Sequence, residues 1–436
     1  MLATSNTPLR AVKGMNDILP PDSARWEWFE ETVRAVMRRY GYLNVRVPIV
    51  EPTALFVRGL GEVTDIVEKE MYSFEDKLNG EKLTLRPELT AGLVRAAIES
   101  NLTYNGPVRV YCMGPMFRHE RPQKGRYRQF SQFDVECFGF EGPDVDAEIM
   151  IMTARLWREL GIPDVRLEIN SLGDPVERNT YKRELIAHYE ANSDALDDEA
   201  KRRLHTNPMR ILDSKVASVI EVNKTAPTLL DSLGHTSKEH FKSLKVFLKQ
   251  AGVPFFENSR IVRGMDYYNR TAFEWVTDRF GAPLTVCGGG RYDGLFEQLG
   301  GKPTPAIGFG MGIERVLMML PDRPHANGLD AYIVYAAGDA PEKGRKLAET
   351  LRDSGLSVAV HPSGMGAISS FKSQMKKADA SGARYALIIG DNEVAEGTVA
   401  VKPLRDGNGA PIQGEQAIIT RSAVAAHLRM ASDPRL

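Results

Sequence analysis

The sequence predicts an α+β protein with a helical insertion, followed by a smaller, mainly parallel α/β domain. Three observations predict this organisation. Residues 108–138 have the pattern of two strands joined by a basic loop, residues 174–256 are charge-rich with helical periodicity, and strands alternate with helices after residue 330. With 42% hydrophobic and 26% charged residues, the chain has the composition of a globular protein with two or three domains.

The first predicted element is an amphipathic helix over about residues 23–40. Two prolines precede it, and apolar residues recur at helical spacing from Phe29 to Tyr40. A strand over about residues 43–49 follows. Pro52 comes next, and because it lacks an N–H we expect it at a strand edge or an interface turn.

The second strand of the segment 108–138 has an apolar and a polar face. The apolar face carries Phe133, Val135 and Cys137, and the polar face carries Gln132, Asp134 and Glu136. Three polar groups in a row indicate either a solvent face or a ligand pocket, and periodicity does not separate the two. The loop RPQKGRYR at residues 121–128 carries four positive charges, which favours a phosphate contact as much as an ordinary solvated turn.

Strand-like sequence returns at about residue 260 and ends in GFGMG, which is Gly-x-Gly-x-Gly and not a dinucleotide fingerprint. In a strand, Gly308, Gly310 and Gly312 point to one side, so a flat base could lie on the backbone; close packing under a helix is the alternative. Arg315 follows near the positive end of the next helix, and Arg118 ends a hairpin strand. Both are suited to phosphate.

The turn-rich segment 321–330 predicts a domain boundary, which we place between residues 328 and 329. Beyond it, the strand-like strings DAYIVYAA, LSVAVH and ARYALIIG alternate with helical patterns over about residues 342–353 and 368–381. This alternation predicts that residues 329–436 form the small α/β domain.

Composition excludes several kinds of protein. Cys112, Cys137 and Cys287 are far apart, which predicts buried reduced thiols and no zinc site, and the histidines do not form His-Glu-x-x-His. No apolar run approaches a membrane span and no signal peptide is evident, so we expect a cytoplasmic protein with no membrane partner. A net charge of −1 implies that any nucleic-acid contact is local.

Three strings are similar to the motifs of class II aminoacyl-tRNA synthetases. RVPIVEP resembles the first motif, FRHERPQKGRYRQFSQFDVE the second and GFGMGIERV the third, with Arg118 and Arg315 in the matching positions. The resemblance covers about residues 12–320 and implies a catalytic domain with an antiparallel sheet flanked by helices, at residues 1–328. It also implies an ATP substrate with Mg²⁺ and a homodimer. The remainder resembles the anticodon-binding domain of that class.

Two further strings, IVRGMDYYNRTAFEW and GGGRYDGL, resemble the signature peptides of histidyl-tRNA synthetases. This likeness implies ATP-dependent activation of histidine to histidyl-adenylate and its transfer to the 3′ end of histidine tRNA. A non-catalytic histidine sensor of the same fold is the main alternative. It is disfavoured because the C-terminal domain and the cationic site residues are all present. A synthetase for another amino acid is disfavoured by the two signature peptides.

The resemblance also implies residue roles by matching position. Arg118 and Arg263 would be catalytic, on the α-phosphate and between that phosphate and the histidine carboxylate. ATP would contact Arg118, Phe130, Gly308, Gly310, Gly312 and Arg315. Histidine would contact Glu88, Thr90, Gln132, Glu136, Arg263, Tyr267, Tyr268 and Tyr292. The tRNA acceptor end would meet Arg121, Gln123, Lys124, Arg126 and Arg128.

Three positions depart from the family pattern, and each lies beside a residue of the implied site. They are Leu89, Ser131 and Asp134. The departures leave every charge of the implied site in place. The resemblance gives no ligand contact to Asp134 and names no magnesium ligand.

Overall fold

The computed structural model describes residues 9–61, 64, 66–261, 267–321, 329–336, 338–362, 369–406, 409–412 and 414–430. The chain forms two compact units. One comprises Met1–Leu19 and Phe29–Pro321, and the other comprises Pro20–Trp28 and Asp322–Leu436. No helix among the described residues is both long enough and apolar enough to span a bilayer.

The strands of the first unit lie in two sheets. They are β1 (Leu43–Asn44), β2 (Val50–Pro52), β3 (Tyr72–Glu75), β4 (Lys82–Leu85), β5 (Val108–Phe117), β6 (Gln129–Phe138), β7 (Arg166–Ser171), β8 (Phe255–Glu257), β9 (Asn269–Thr277), β10 (Leu284–Arg291) and β11 (Ala306–Gly312). The large sheet of the described chain has the order β1-β5-β6-β11-β10-β9-β7-β8. Its central pairings are antiparallel, as expected, and the outer pairs β1/β5 and β7/β8 are parallel.

The helices that begin the chain and pack around this sheet come next. They are α1 (Asp22–Arg39), α2 (Thr53–Leu60), α3 (Thr90–Glu99), α4 (Pro143–Glu159), α5 (Pro175–Ala191), α6 (Asp198–Arg203), α7 (Ala217–Lys224), α8 (His235–Gln250), α9 (Leu295–Gln298) and α10 (Ile313–Leu317). Helix α1 confirms the predicted amphipathic helix, with Phe29, Val33, Val36 and Met37 buried. Helices α5 to α8 confirm the helical character of residues 174–256, although β8 ends that segment with a short strand.

The predicted strand over residues 43–49 is wrong in its extent. Only Leu43–Asn44 pairs with β5, and the chain then passes to β2 of a separate sheet with the order β2-β4-β3. Pro48 interrupts the run because it has no N–H to donate to a ladder. Pro52 lies on β2 at an edge of this small sheet, which confirms its expected position.

The second unit is a five-stranded sheet with helices, counting only residues that the structure describes. Its elements are β12 (Ala331–Tyr335), α11 (Ala340–Asp353), β13 (Val358–Val360), α12 (Phe371–Ala380), β14 (Tyr385–Ile389), α13 (Asp391–Glu396), β15 (Thr398–Pro403), β16 (Ala417–Thr420) and α14 (Val424–Met430). Strands β12, β13 and β14 are parallel, as the alternating pattern predicts. Strands β15 and β16 extend the sheet in antiparallel pairings.

A buried ion pair joins α4 to β10 in the first unit. The side chains of Asp146 and Arg291 have no solvent exposure, and their closest N–O distance is 2.5 Å. Arg291 also donates to the carbonyls of Phe140 at 2.8 Å and Gly142 at 3.1 Å. These bonds satisfy the guanidinium in a place where an unpaired charge would be costly.

The same carboxylate holds two more elements. Asp146 Oδ2 lies 2.9 Å from His240 Nε2 on α8, and it accepts a bond of 2.5 Å from Thr271 on β9. Burial alone would raise the pKa of Asp146, but the Arg291 charge and the His240 contact outweigh it and leave the pKa below its usual value. The pair therefore stabilises the folded state through an ionised carboxylate.

We predict that Asp146→Asn lowers the free energy of unfolding by about 3–5 kcal/mol at pH 7, because it leaves a buried guanidinium without its main counter-charge. The native pKa is depressed, so the contribution of Asp146 is present above its unfolded pKa of about 4 and is lost as pH falls below that value. Urea unfolding at a series of pH values between neutral and about 3 measures both effects.

Asp144→Asn is the matched control, because Asp144 is an exposed carboxylate on the same helix. Its effect should stay within about 1 kcal/mol, the usual size of a charge at a helix N-terminus. Equal losses in the two variants, or a loss in Asp146→Asn that does not shrink in acid, would contradict the assignment.

Candidate active site

A cavity of about 220 Å³ opens beside the neighbouring strands β6, β11 and β10. Its walls come from segments far apart in the chain. The lining residues are Glu88, Thr90, Arg118, Glu120, Gly125, Arg126, Tyr127, Phe130, Gln132, Asp134, Tyr267, Tyr268, Thr285, Val286, Cys287, Gly288, Gly310, Gly312, Glu314 and Arg315. The polar face of β6, which periodicity left ambiguous, therefore faces a pocket through Gln132 and Asp134.

An acidic wall begins at the N-terminus of α3. Glu88 is 3% exposed, and its two carboxylate oxygens accept from the backbone N–H groups of Thr90 at 2.7 Å and Ala91 at 3.0 Å. Burial raises the pKa of Glu88, and these two hydrogen bonds and the charge of Arg118 oppose that rise. The bonds fix the direction of the carboxylate before any ligand arrives.

Glu136 on β6 lies behind this wall and is fully buried. One carboxylate oxygen accepts a 2.8 Å hydrogen bond from Thr90 Oγ1, and the other accepts from the hydroxyl of Tyr292. Burial raises the pKa of Glu136 to about 8, although both hydrogen bonds act in the opposite direction. Neither Glu136 nor Tyr292 lines the cavity in this conformation.

The glycines of β11 make room for the acids of β6. Gly308 pairs with Glu136 and Gly310 with Asp134. A Cβ on Gly308 would stand 1.6 Å from Glu136 Oε2, and one on Gly310 would stand 3.3 Å from Asp134 Oδ2. The Glu136 side chain thus fills the space beside Gly308. Gly308 does not line the cavity, whereas Gly310 and Gly312 do.

A cluster of tyrosine rings closes the acidic end. The centroids of Tyr267 and Tyr268 are 4.6 Å apart, and Tyr292 lies 5.5 Å from Tyr267 and 6.3 Å from Tyr268. Tyr267 and Tyr268 line the cavity. Arg178 on α5 donates to the carbonyl of Tyr268, so the helical segment supports this wall directly.

The opposite end of the cavity is cationic. The Arg118 guanidinium lies 5.2 Å from the centre of the Phe130 ring and donates to the carbonyl of Pro87 at 2.9 Å. Arg315 on α10 donates to the carbonyls of Gly125 at 3.2 Å and Thr285 at 2.8 Å. Neutral carbonyls orient both arginines without cancelling their charge, which leaves them able to bind an anion.

The basic loop forms a tight turn at the rim of this end. Gln123 and Arg126 exchange backbone hydrogen bonds of 3.0 and 2.9 Å, and Gly125 adopts φ +75° between them. Arg126 lines the cavity. The other side chains assigned to the tRNA lie outside the cavity: Arg121, Gln123 and Lys124 are exposed, and Arg128 is half-buried.

The structure brings most of the sequence-selected residues together, with one gap in what it describes. Arg263 lies outside the described residues. Several lining residues were missed by the sequence analysis, namely Glu120, Tyr127, Thr285, Val286, Cys287, Gly288 and Glu314. Glu314 stands beside Arg315, and Gly288 begins the string GGGRYDGL, so both carried a sequence signal, whereas Thr285, Val286 and Cys287 carry none. All three cysteines are buried free thiols, as predicted.

The fold and this divided cavity are those of the catalytic domain of a class II aminoacyl-tRNA synthetase. The family model for histidyl-tRNA synthetase matches residues 14–316, and the model for an anticodon binding domain matches residues 330–419. The chain therefore belongs to the histidyl-tRNA synthetase family. It is a ligase that activates histidine with ATP and joins it to tRNA.

Individual relatives agree with this assignment. The chain is 58% identical over 411 residues to the histidine–tRNA ligase of Paraburkholderia phytofirmans and, over the same length, to that of Burkholderia pseudomallei. Each match covers 94% of this chain and 92% of the relative. A solved structure of apo histidyl-tRNA synthetase from S. aureus aligns with a TM-score of 0.79 at 35% identity, covering 97% of this chain and all of that one.

We predict that Gly308→Ala destabilises the protein and weakens histidine binding. The added methyl group would overlap the Glu136 carboxylate, so the strand pair or the acid must move. The free energy of unfolding should fall by about 1–3 kcal/mol or more. Gly294→Ala is the control, since nothing lies within 4 Å of its Cβ position. Unchanged urea unfolding and histidine titration in Gly308→Ala would refute the close fit.

Proposed function

We propose that the acidic end of the cavity binds histidine and the cationic end binds ATP, so that one cavity holds both substrates of the adenylation step. What supports this proposal is the separation of charge. Glu88 and Asp134 line one part of the wall, and along another part the three arginines Arg118, Arg126 and Arg315 outnumber the two acids Glu120 and Glu314. Histidine offers a cation to the acids, while its carboxylate and the triphosphate suit the arginines.

At the cationic end, Arg118 contacts the α-phosphate, and Arg315 pairs with the γ-phosphate and stacks on adenine. Phe130 covers the other face of the base, with the backbone of Gly310 and Gly312 beneath it. The position of Phe130 next to the Arg118 guanidinium supports this arrangement, because an aromatic ring and a fixed cation are the two surfaces that a nucleotide needs. Gly308 lies on the same strand, but the space left by its missing side chain holds the Glu136 carboxylate.

The reaction requires positioning and charge stabilisation. Attack of the histidine carboxylate on the α-phosphate brings two anions together and needs no enzyme nucleophile. Arg263 stands between the carboxylate and the α-phosphate in this scheme, where its planar fork can bridge both groups. Arg118 stabilises the charge that develops on the phosphoryl oxygens.

At the acidic end, Glu88, Thr90 and Gln132 hold the ammonium group, and Glu136 and Tyr268 orient the imidazole. Tyr267 and Tyr292 complete the pocket. Each Glu136 oxygen accepts one hydrogen bond at present and has room for the imidazole N–H as a further donor, while the Tyr292 bond keeps the carboxylate directed. An aliphatic rival would leave these polar groups unpaired, which a hydrogen-bonding site rejects by roughly four orders of magnitude.

Magnesium accompanies the nucleotide in this proposal. No group of three histidine, cysteine or acidic side chains suited to a metal occurs in the described part of the chain. The ion would therefore be held mainly by ATP phosphates, as Mg²⁺ with one or two carboxylates commonly is. Glu314 lines the cavity beside Arg315 and offers such an oxygen, since only its Oε1 accepts from Ser131 N at 2.7 Å. Magnesium would neutralise phosphate charge.

The tRNA contacts divide between the two parts of the chain. The loop 121–128 at the cavity rim supports an acceptor-end contact through Arg121, Gln123, Lys124, Arg126 and Arg128, with most of the cations on phosphate. Residues 1–328 form the catalytic domain and residues 329–436 the anticodon-binding domain, in line with the two family models. We infer that the enzyme works in the cytoplasm, where translation uses charged tRNA.

We predict that the protein catalyses histidine-dependent exchange of pyrophosphate into ATP. Across a panel of amino acids, histidine should exceed proline and threonine by at least a thousandfold, because the polar pocket rejects ligands without an imidazole. Exchange with another amino acid and none with histidine would overturn the specificity assigned to the pocket.

The same assay separates the two parts of the site. Arg263→Ala should lose most of the exchange rate and keep histidine binding in calorimetry, because its role belongs to the transition state. Glu88→Gln should weaken histidine binding itself. A parallel loss of rate and affinity in Arg263→Ala would show ordinary substrate binding at that position.

We also propose that the protein is a homodimer paired through the segment that contains β2. Apolar side chains are exposed there: Leu43 by 63%, Ile49 by 42% and Val50 by 38%. Contiguous exposed apolar surface marks an interaction site. Sedimentation should give twice the chain mass of 48.4 kDa, and Ile49→Asp should shift the equilibrium to the monomer, with the exposed loop variant Leu78→Asp as control. A monomeric wild type at micromolar concentration would refute this pairing.

A further inference from the structure

Two hydrogen-bond acceptors on the cavity wall have no partner among the described residues. They are Asp134 Oδ1 and Gln132 Oε1, and both atoms are buried. The neighbouring acids Glu88 and Glu136 differ, since both oxygens of each already accept bonds from protein donors. Buried polar atoms normally have partners, so two neighbouring exceptions point to a donor that the ligand supplies.

The backbone places these two side chains on one face of β6. Gln132 and Asp134 are two residues apart on β6 and so project from the same face, and both line the cavity. Gly310 pairs with Asp134 on the neighbouring strand. Its missing side chain keeps the space above the two groups open, since a Cβ there would stand 3.3 Å from Asp134 Oδ2 and 3.4 Å from Gln132 Nε2.

The acidic side chains of this wall indicate which kind of hydrogen-bond donor the ligand supplies. Asp134 is 2% exposed and shares the wall with Glu88, so a cationic donor would fill the open acceptor and also pair with the ionised form of this carboxyl group. At neutral pH, the imidazole of histidine is mostly uncharged, whereas its ammonium group is a cation with three N–H donors. The ammonium group therefore fits two adjacent unfilled acceptors.

We propose that Asp134 is a further substrate-binding residue, whose Oδ1 accepts a hydrogen bond from the histidine ammonium group beside Gln132 Oε1. This inference rests on the proposed function of the cavity and adds a specificity-determining anion to it. The group recognised is a primary ammonium on the carbon next to the substrate carboxylate. Glu88 supplies a second carboxylate to the same subsite, with its direction fixed by backbone N–H groups.

Binding of a cation beside Asp134 should change the protonation state of its carboxyl group. Burial raises the pKa of Asp134 well above its usual value, and the charges of Glu136 and Glu88 raise it further, while those of Arg118 and Arg86 act in the opposite direction. The empty pocket thus favours the protonated acid. An ammonium group beside it favours the ionised form, so histidine binding should release a proton from Asp134 to the solvent.

The test compares Asp134→Asn with the wild type for three ligands in isothermal calorimetry, with competition against histidine for weak binders. Histidine and histidinol carry the ammonium group, and 3-(imidazol-4-yl)propionate lacks it. We expect roughly ten- to hundredfold weaker binding of the first two, the size of a lost charged hydrogen bond, and less than about threefold change for the third. The KM for ATP should stay unchanged.

Two further measurements exclude a merely structural effect. Calorimetry in buffers of different ionisation enthalpy should show that proton release on histidine binding falls in the Asn variant. Without ligand, the variant should melt at the wild-type temperature or above, because a buried acid that lacks a partner does not stabilise the fold. Asp134→Ser provides a second, smaller replacement, and Asp164→Asn is the control for loss of an exposed carboxylate in the same unit.

Equal weakening of all three ligands would assign Asp134 to packing, and no weakening of any would remove it from the site; either result overturns the inference. A loss confined to the propionate analogue would also overturn it. A wild-type protein that shows no histidine-dependent exchange would refute the proposed function itself. That outcome is distinct, since it is measured without any change at residue 134.

Discussion

The fully buried pair of Asp146 and Arg291 is the constraint on which the catalytic unit depends. It fastens α4 to β10 and, through the same carboxylate, draws in α8 and β9. Arg291 is also the residue before Tyr292, so the bonds that immobilise the guanidinium fix the backbone from which the Tyr292 hydroxyl reaches Glu136. The Asp146–Arg291 ion pair thereby sets the position of the Glu136 carboxylate without contacting it. Moving an ion pair from water into the protein interior costs free energy. The hydrogen bonds around Asp146 and Arg291 offset that cost and hold the two side chains in one geometry.

The second constraint is steric and runs between β6 and β11. Acidic side chains on one strand lie against glycines on the other, and the space beside Gly308 is already filled by Glu136. The glycine-rich strand therefore has two functions. Gly308 lets a carboxylate be buried between strands, while Gly310 and Gly312 keep the cavity wall free of side chains. A single pattern of alternate glycines thus makes room for a buried carboxylate and keeps part of the cavity wall open.

The separation of charge within the cavity explains how one pocket handles two anionic reactants. Arg118 and Arg315 are held by carbonyl oxygens, which orient them without neutralising them. Glu88 is held by backbone N–H groups and keeps its direction in the same way. Sites that are organised before the ligand binds lose little free energy to reorganisation when charge develops. In the proposed arrangement, the acids would select and orient the amino acid, and the cations would bring its carboxylate to the phosphate.

The sequence by itself determined the elements and the chemical inventory of the site. Periodicity gave α1, the β5–β6 hairpin, the helical segment and the alternating C-terminal pattern, and motif strings identified Arg118 and Arg315, because these signals are local. Glu88 was implied by matching position in the family resemblance. Tertiary structure decided which polar residues meet the cavity. Asp134 lines it, whereas Glu136 is covered by Tyr292, a residue 156 positions away. Strand β10 contributes Thr285 and Cys287 with no local signal. Neighbours across a sheet are set by strand order and register, and periodicity within one strand carries information about neither.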